Sequence, residues 1–200
     1  MSRRFVYVVG PSGAGKDSLL AWMRARLDPA APVHWARRTI TRPAETGGEH
    51  HESVDEATFN SLRDHQAFAL HWRANGLHYG VRHIELAPLA ANRWVLLNGS
   101  RAYLPQAAKR FPGLTVLHIT AGADTLRQRL LARGRESGQT IEARVQRSTL
   151  QAIPPGTVIL NIHNDSTLES AGLQLLQRLR ALDGWPKWHS PASAVSAPGS

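Results

Sequence analysis

The run Gly10-Pro11-Ser12-Gly13-Ala14-Gly15-Lys16-Asp17-Ser18, entered directly from the apolar stretch Phe5-Val6-Tyr7-Val8-Val9, constrains this chain more than any other feature. Gly10, Gly13 and Gly15 allow backbone conformations closed to residues with side chains, so successive N–H groups can turn inward toward phosphate oxygens. Leu19, Leu20, Met23 and Leu27 follow at helical spacing, and a helix starting there adds its positive N-terminal end to the loop. Strand, glycine loop, lysine and amphipathic helix in that order imply a site for a nucleoside triphosphate, with Pro11, Ser12 and Ala14 completing the cradle and Lys16 between the outer phosphates. The next position ordinarily offers a Ser or Thr hydroxyl to Mg2+. Here it holds Asp17, followed by Ser18.

Two hundred residues with 42% hydrophobic content suit one domain with a full core. The chain has no cysteine, which excludes disulfides and thiolate metal sites, and no stretch is long or apolar enough for a signal sequence or a membrane span. A soluble, cytoplasmic protein without a membrane partner is therefore expected. The net charge of +9 is almost wholly guanidinium, since the lysines among the 24 basic residues are only Lys16, Lys109 and Lys187. Arginine grips phosphate through a planar fork, so the surplus suits a heavily phosphorylated small substrate or nucleic acid, and composition does not choose between them.

Strand and helix patterns alternate along the chain, which predicts an α/β fold with a mainly parallel sheet. Val33 to Ala36, Trp94 to Leu97, Leu114 to Thr120 and Thr157 to Ile162 read as further strands, and Ala123 to Arg133 as an amphipathic helix. Ser53 with Glu56 and Ser166 with Glu169 have capping-box spacing, which predicts helix starts at both places. Asn75-Gly76 between Phe68–Arg73 and Leu77–Val81 is a hairpin signal. The region at about 33–82 reads as a small strand-rich insertion within a domain over 1–183, and 184–200, rich in Pro, Ala, Ser and Gly, as a disordered tail whose Trp185 and Trp188 could dock on the body or bind a partner.

Two arginine groups stand well apart: Arg37, Arg38 and Arg42 early, and Arg129, Arg133, Arg135, Arg144 and Arg147 late. That layout suits phosphoryl transfer, one group holding the acceptor's phosphate and the other closing over ATP to spread the charge of the moving group. Arg133-Gly134-Arg135-Glu136-Ser137-Gly138 has the glycines of a hinged lid, which would cover about 133–147. Glu49 and His51, in the polar turn Gly47 to Glu52, suit contacts to ribose hydroxyls or the acceptor phosphate better than a metal site, because adjacent side chains point apart.

On Gly10 to Leu20, Arg37 to Pro43, Gly47 to Glu52, Phe68 to Gly80, Leu97 to Ala102 and Arg133 to Ser137, the chain resembles the guanylate-kinase-like branch of P-loop kinases, and within it the ribose 1,5-bisphosphate phosphokinases. The resemblance runs to about Leu182. It implies a three-layer α/β/α kinase with a five-stranded, mainly parallel sheet, an acceptor-binding insertion and a helical lid, using ATP and Mg2+ to make 5-phosphoribosyl 1-diphosphate in phosphonate breakdown. It implies catalytic roles for Lys16, Arg133, Arg135 and Arg144. Arg37, Arg38, Arg42, Glu49, His51, Tyr79, Ser100 and Arg101 would bind the acceptor, and Asn164 would contact the adenine end of ATP.

Guanylate kinases proper carry two carboxylates that read guanine, and their equivalents here fall at Leu70 and within Asn98-Gly99-Ser100, where no carboxylate stands. A site built for hydrogen bonds discriminates strongly, so their loss disfavours GMP while Arg42 and Tyr79, the phosphate-holding part, remain. Asp17, with Ser18 as a weaker partner, is the candidate Mg2+ ligand. It would partly replace the strand-end carboxylate that Leu96-Leu97-Asn98 does not provide. A nucleoside monophosphate kinase, a non-catalytic module of the same fold and a nucleic-acid-binding protein are the rival readings. A homodimer is compatible with the sequence without being specified by it.

Overall fold

The computed structural model describes residues 2–43, 50–132, 153 and 155–186. In chain order they form β1 (Phe5–Val9), α1 (Lys16–Arg24), β2 (Val33–Ala36), β3 (Thr39–Ile40), β4 (Glu52–Ser53), α2 (Glu56–Asp64), β5 (Phe68–Ala74) and β6 (Leu77–Arg82). After these come α3 (His83–Leu86), β7 (Trp94–Asn98), α4 (Leu104–Arg110), β8 (Thr115–Thr120), α5 (Ala123–Ala132), β9 (Val158–His163) and α6 (Leu168–Arg180). Five strands make the main sheet in the order β2-β7-β1-β8-β9, every pairing parallel.

Alternation along β1 explains the layers. Val6 and Val8 face one core with Leu19, Trp22 and Met23 of α1, Leu126 and Leu130 of α5, and Leu175 and Leu179 of α6. Phe5, Tyr7 and Val9 face the other, with Leu104 and Ala107 of α4 and Leu86 of α3. A strand covered on both faces has no polar side, which is why β1 is apolar throughout and buried at all five positions. The result is the expected three-layer α/β/α arrangement.

A second sheet, in the order β4-β3-β6-β5, forms the insertion and adds Ile40, Leu70, Trp72 and Tyr79 to that second core. Its hairpin turns at Asn75 (φ 51°) and Gly76 (φ 75°), two positive angles in a row, as the two-residue turn between right-twisted strands requires. The insertion begins later than position 33, because β2 pairs with β7 in the main sheet.

Both expected capping boxes shift. Ser53 lies in β4, and α2 is capped instead by Asp55, which accepts from Thr58 N at 2.7 Å. The cap of α6 is Thr167, accepting from Ser170 N, while Glu169 binds Trp22 Nε1 and Arg26. At the far end, Gly184 to Pro186 belong to the packed body. Trp185 is buried edge-on to Trp94 at 4.8 Å, and Trp94 Nε1 donates to Gly184 O at 2.9 Å. Glu49, Arg133, Arg135 and Arg144, the expected lid and the chain beyond Pro186 lie outside the described residues. Among the described residues no helix is long and apolar enough to cross a membrane.

Candidate active site

The glycine loop leaves β1 at the middle of the parallel sheet, between β7 and β8, where the strand order reverses; in open α/β sheets this is where ligands bind. Gly10 passes so close to Ile119 O that a Cβ would collide with it. Gly15 is the N-cap of α1 at φ 81°, ψ 24°, and it brings no side-chain cap to the helix, whose positive N-terminal end faces the loop. Asn164, 3% exposed, donates through Nδ2 to Ala14 O at 2.8 Å, and a side chain at Gly15 would meet that same amide. Asn164, expected at the adenine end of ATP, thus has its amide engaged with the loop. Arg129 Nη1 reaches Gly13 O at 3.5 Å. Lys16 Nζ donates to Gly10 O and Pro11 O, each at 3.0 Å, and is held within the curve of the loop.

Asp17 and Ser18 are both exposed on the first turn of α1. Asn98, the last residue of β7, donates through Nδ2 to Asp17 Oδ1 at 2.7 Å. Asp17 therefore brings a carboxylate to the strand end where the sequence itself has none.

Beyond Asn98 the chain is fixed by Tyr7. The Tyr7 hydroxyl accepts from Ser100 N at 3.0 Å and donates to Ser100 O at 3.3 Å, and burial pushes its pKa far above the ordinary phenol value, so it stays protonated. A Cβ at Gly99 would run into the Tyr7 ring. Leu70 is wholly buried in the core beneath the second sheet. Of the positions expected to carry guanine-reading carboxylates, Leu70 is closed by packing, and Asn98, Gly99 and Ser100 are half-buried at the end of β7 with no carboxylate among them.

The acceptor candidates gather on the second sheet and its approaches. Tyr79 of β6 stacks on Trp72 at 5.4 Å with parallel planes, and the Arg38 guanidinium lies 5.2 Å over its ring. The Arg42 carbonyl accepts from Ser53 Oγ at 2.7 Å and from His51 Nε2–H at 3.1 Å. Arg42 Nε is buried with no hydrogen-bond partner. A buried donor left so costs about 1–3 kcal/mol, and a ligand oxygen would recover it. Arg37 is bound to Glu85, which accepts from Arg37 N at 3.0 Å, Arg37 Nε at 3.3 Å and His34 Nε2 at 2.8 Å. Burial raises the Glu85 pKa, but these hydrogen bonds outweigh it and hold the carboxyl below its ordinary range.

Arg101 is half-buried, and desolvation lowers its pKa, although it stays charged. His118, opposite Val9 on β8, has Nδ1 bound to Asn161 Oδ1 at 3.2 Å and Nε2 buried without a partner. Burial, aided by the fields of Arg101, His163 and Lys16, lowers its pKa and keeps it neutral at pH 7. Tyr7, Glu85, Asn98 and His118 all escape sequence reading as site residues, because each takes its meaning from partners distant in the chain. Among the described residues no group of His, Asp and Glu is arranged to hold a metal by itself.

This loop at the centre of this sheet order, with a small second sheet beside it, defines a P-loop kinase of the guanylate-kinase-like type. The guanylate kinase of Anaplasma phagocytophilum superposes with a TM-score of 0.56 at 19% identity, covering 88% of this chain and 84% of that one. No protein-family model matches the chain. It is 44% identical over 181 residues to the ribose 1,5-bisphosphate phosphokinase PhnN of Thiobacillus denitrificans, covering 90% of this chain and 94% of that protein. A bifunctional ribose 1,5-bisphosphokinase-thymidine phosphorylase of Azorhizobium caulinodans is 44% identical over 163 residues, 82% of this chain and 23% of that much longer protein. The chain belongs to the ribose 1,5-bisphosphate phosphokinase family.

Proposed function

We propose that the protein transfers the γ-phosphoryl group of ATP to the 1-phosphate of ribose 1,5-bisphosphate, forming 5-phosphoribosyl 1-diphosphate and ADP. An oxygen of the acceptor's 1-phosphate attacks Pγ, and the bond from Pγ to the β-phosphate oxygen breaks. That nucleophile is already ionised at neutral pH, so no general base is needed, and catalysis is positioning and charge neutralisation. The loop N–H groups and Lys16 hold ATP. Arg42, whose buried Nε lacks a partner, binds the acceptor phosphate with Arg38, Tyr79 and His51 around it. Arg37, bound to Glu85, positions this segment, and Ser100 and Arg101 border the sugar. Roles for Glu49 toward the acceptor and for Arg133, Arg135 and Arg144 in spreading the charge of the moving group belong to this proposal through the family resemblance.

A bound Mg2+ would supply neutralisation of the phosphate charge. A hard cation prefers carboxylate and hydroxyl oxygen, which Asp17 and, more weakly, Ser18 offer at the end of β7. Asn98 orients the Asp17 carboxylate that would hold the cation.

The observation that carries this reading is the contrast within the acceptor site. Arg42 has a buried Nε without a partner and Arg38 lies over Tyr79, which suits a phosphate, while Leu70, where a guanine-reading carboxylate would stand, is buried in the core. The activity for which the relatives are named supports the same acceptor. The linkage to phosphonate breakdown, location in the cytoplasm and assembly as a homodimer belong to this proposal as well. The test is phosphorus NMR of the chain with ATP, Mg2+ and ribose 1,5-bisphosphate. Coupled diphosphate resonances on the sugar product are expected, and ATP turnover without them contradicts the proposal.

A further inference from the structure

A cavity of about 350 Å3 lies apart from the phosphate loop, with α2, the start of β5, α3 and α4 around it. Its wall carries Arg63, His71, His83 and Arg110 beside the rings of Phe68 and Tyr103, and no carboxylate. Asp64 stands next to Arg63 and accepts from its Nε at 3.1 Å and its Nη2 at 3.0 Å, but the Asp64 side chain is mostly in water and that of Arg63 partly so, which screens the pair. Neither the Arg110 nor the His83 side chain has an ion-pair partner among the described residues. The positive groups converge: after burial, the fields of Arg63 and Arg110 are what lower the His71 pKa. Like charges gathered around a concavity repel one another, and an anion seated among them removes that cost.

We propose that this cavity is a second anion site taking a small phosphate-bearing molecule, with Arg63 and Arg110 on the phosphate and Phe68 and Tyr103 offering apolar contact. Its volume is at the low end for small-molecule pockets and suits a free phosphate or a sugar phosphate ester. Tyr103 gives the site a route to the acceptor residues. It stacks on Trp72 at 5.4 Å, Trp72 stacks on Tyr79, and Arg38 lies over Tyr79. A ligand against Tyr103 therefore bears on the same aromatic column that ends at the acceptor site. That coupling rests on the phosphokinase reading, whereas the binding does not.

The experiment follows histidine ring resonances of the full chain, with ADP and Mg2+ present, during titration with inorganic phosphate and, separately, ribose 5-phosphate. His71 and His83 are expected to shift along a saturable curve. In the chain carrying both Arg63→Ala and Arg110→Ala, half-saturation should need roughly tenfold more ligand, the loss of about one charge-assisted contact, while His51 responds as before. Tighter binding of the ester assigns the site to sugar phosphates, and equal binding assigns it to free phosphate. The proposal is overturned if His71 and His83 stay still, if they respond equally in the double variant, or if they respond only to a single-stranded oligonucleotide. Because no turnover is read, failure of the phosphokinase reading leaves this outcome separate.

Discussion

Lys16 reaches both carbonyls at the mouth of its loop, so its ammonium is already inside the curve that phosphates would fill. Lys16→Ala is expected to lower turnover by at least about 100-fold, the scale of losing one preorganised charge contact, with the thermal midpoint unchanged. For Asp17, replacement by Ala should raise the Mg2+ concentration needed for half-maximal rate, and Asn98→Ala should do so more weakly; a Mg2+ profile unaltered by Asp17→Ala removes it as a ligand. Glu85 makes a pH-dependent contribution. Its folded pKa lies below its ordinary value of 4.5, so its stabilisation is present above that pH and is lost as pH falls through the folded value. Glu85→Gln should cost about 1–3 kcal/mol in urea unfolding at pH 7, with the difference narrowing below about pH 4.5. The strand, glycine loop and helix around Lys16 and Asp17 were legible because that pattern is local. Glu85 and Tyr7 were not, since their partners lie 48 and 93 residues away and nothing near either residue announces them.

The strands were legible wherever both faces are covered, because an unbroken apolar run such as Phe5–Val9 or Trp94–Leu97 has no other stable use in a soluble fold. The Asn75-Gly76 turn was equally plain, since its two positive φ angles demand those residue types. Caps were less so. The segment Ser53 to Thr58 holds two overlapping cap candidates, and sheet pairing of Ser53 with Ile40 left the role to Asp55. Near Thr167, Glu169 was claimed by Trp22 and Arg26, contacts 147 and 143 residues away that no local spacing reveals. At the start of α1, the left-handed Gly15 serves as both N-cap and loop end. Gly15→Ala is expected to cost about 1–2 kcal/mol from the positive φ alone, and more from collision with Asn164. Its nucleotide affinity should fall with its stability, measured by ATP titration beside thermal unfolding.

One core on each side of the main sheet, with the second sheet resting on the Phe5-Tyr7-Val9 face, joins acceptor residues to the loop through packed side chains. The body extends through Trp185, which the sequence offered as a docking residue of the tail without showing that its partner is Trp94. Trp185→Ala should destabilise by about 3–5 kcal/mol in denaturant, as loss of a buried aromatic does. The class of enzyme was readable from the loop, and the acceptor only from two places where carboxylates are missing. The direct test is kcat/KM for ADP release with ATP and Mg2+, compared across ribose 1,5-bisphosphate, GMP, AMP and ribose 5-phosphate. Ribose 1,5-bisphosphate should exceed each of the others by at least about 100-fold, as sites that place or withhold hydrogen-bond partners discriminate. A preference for GMP would contradict the account.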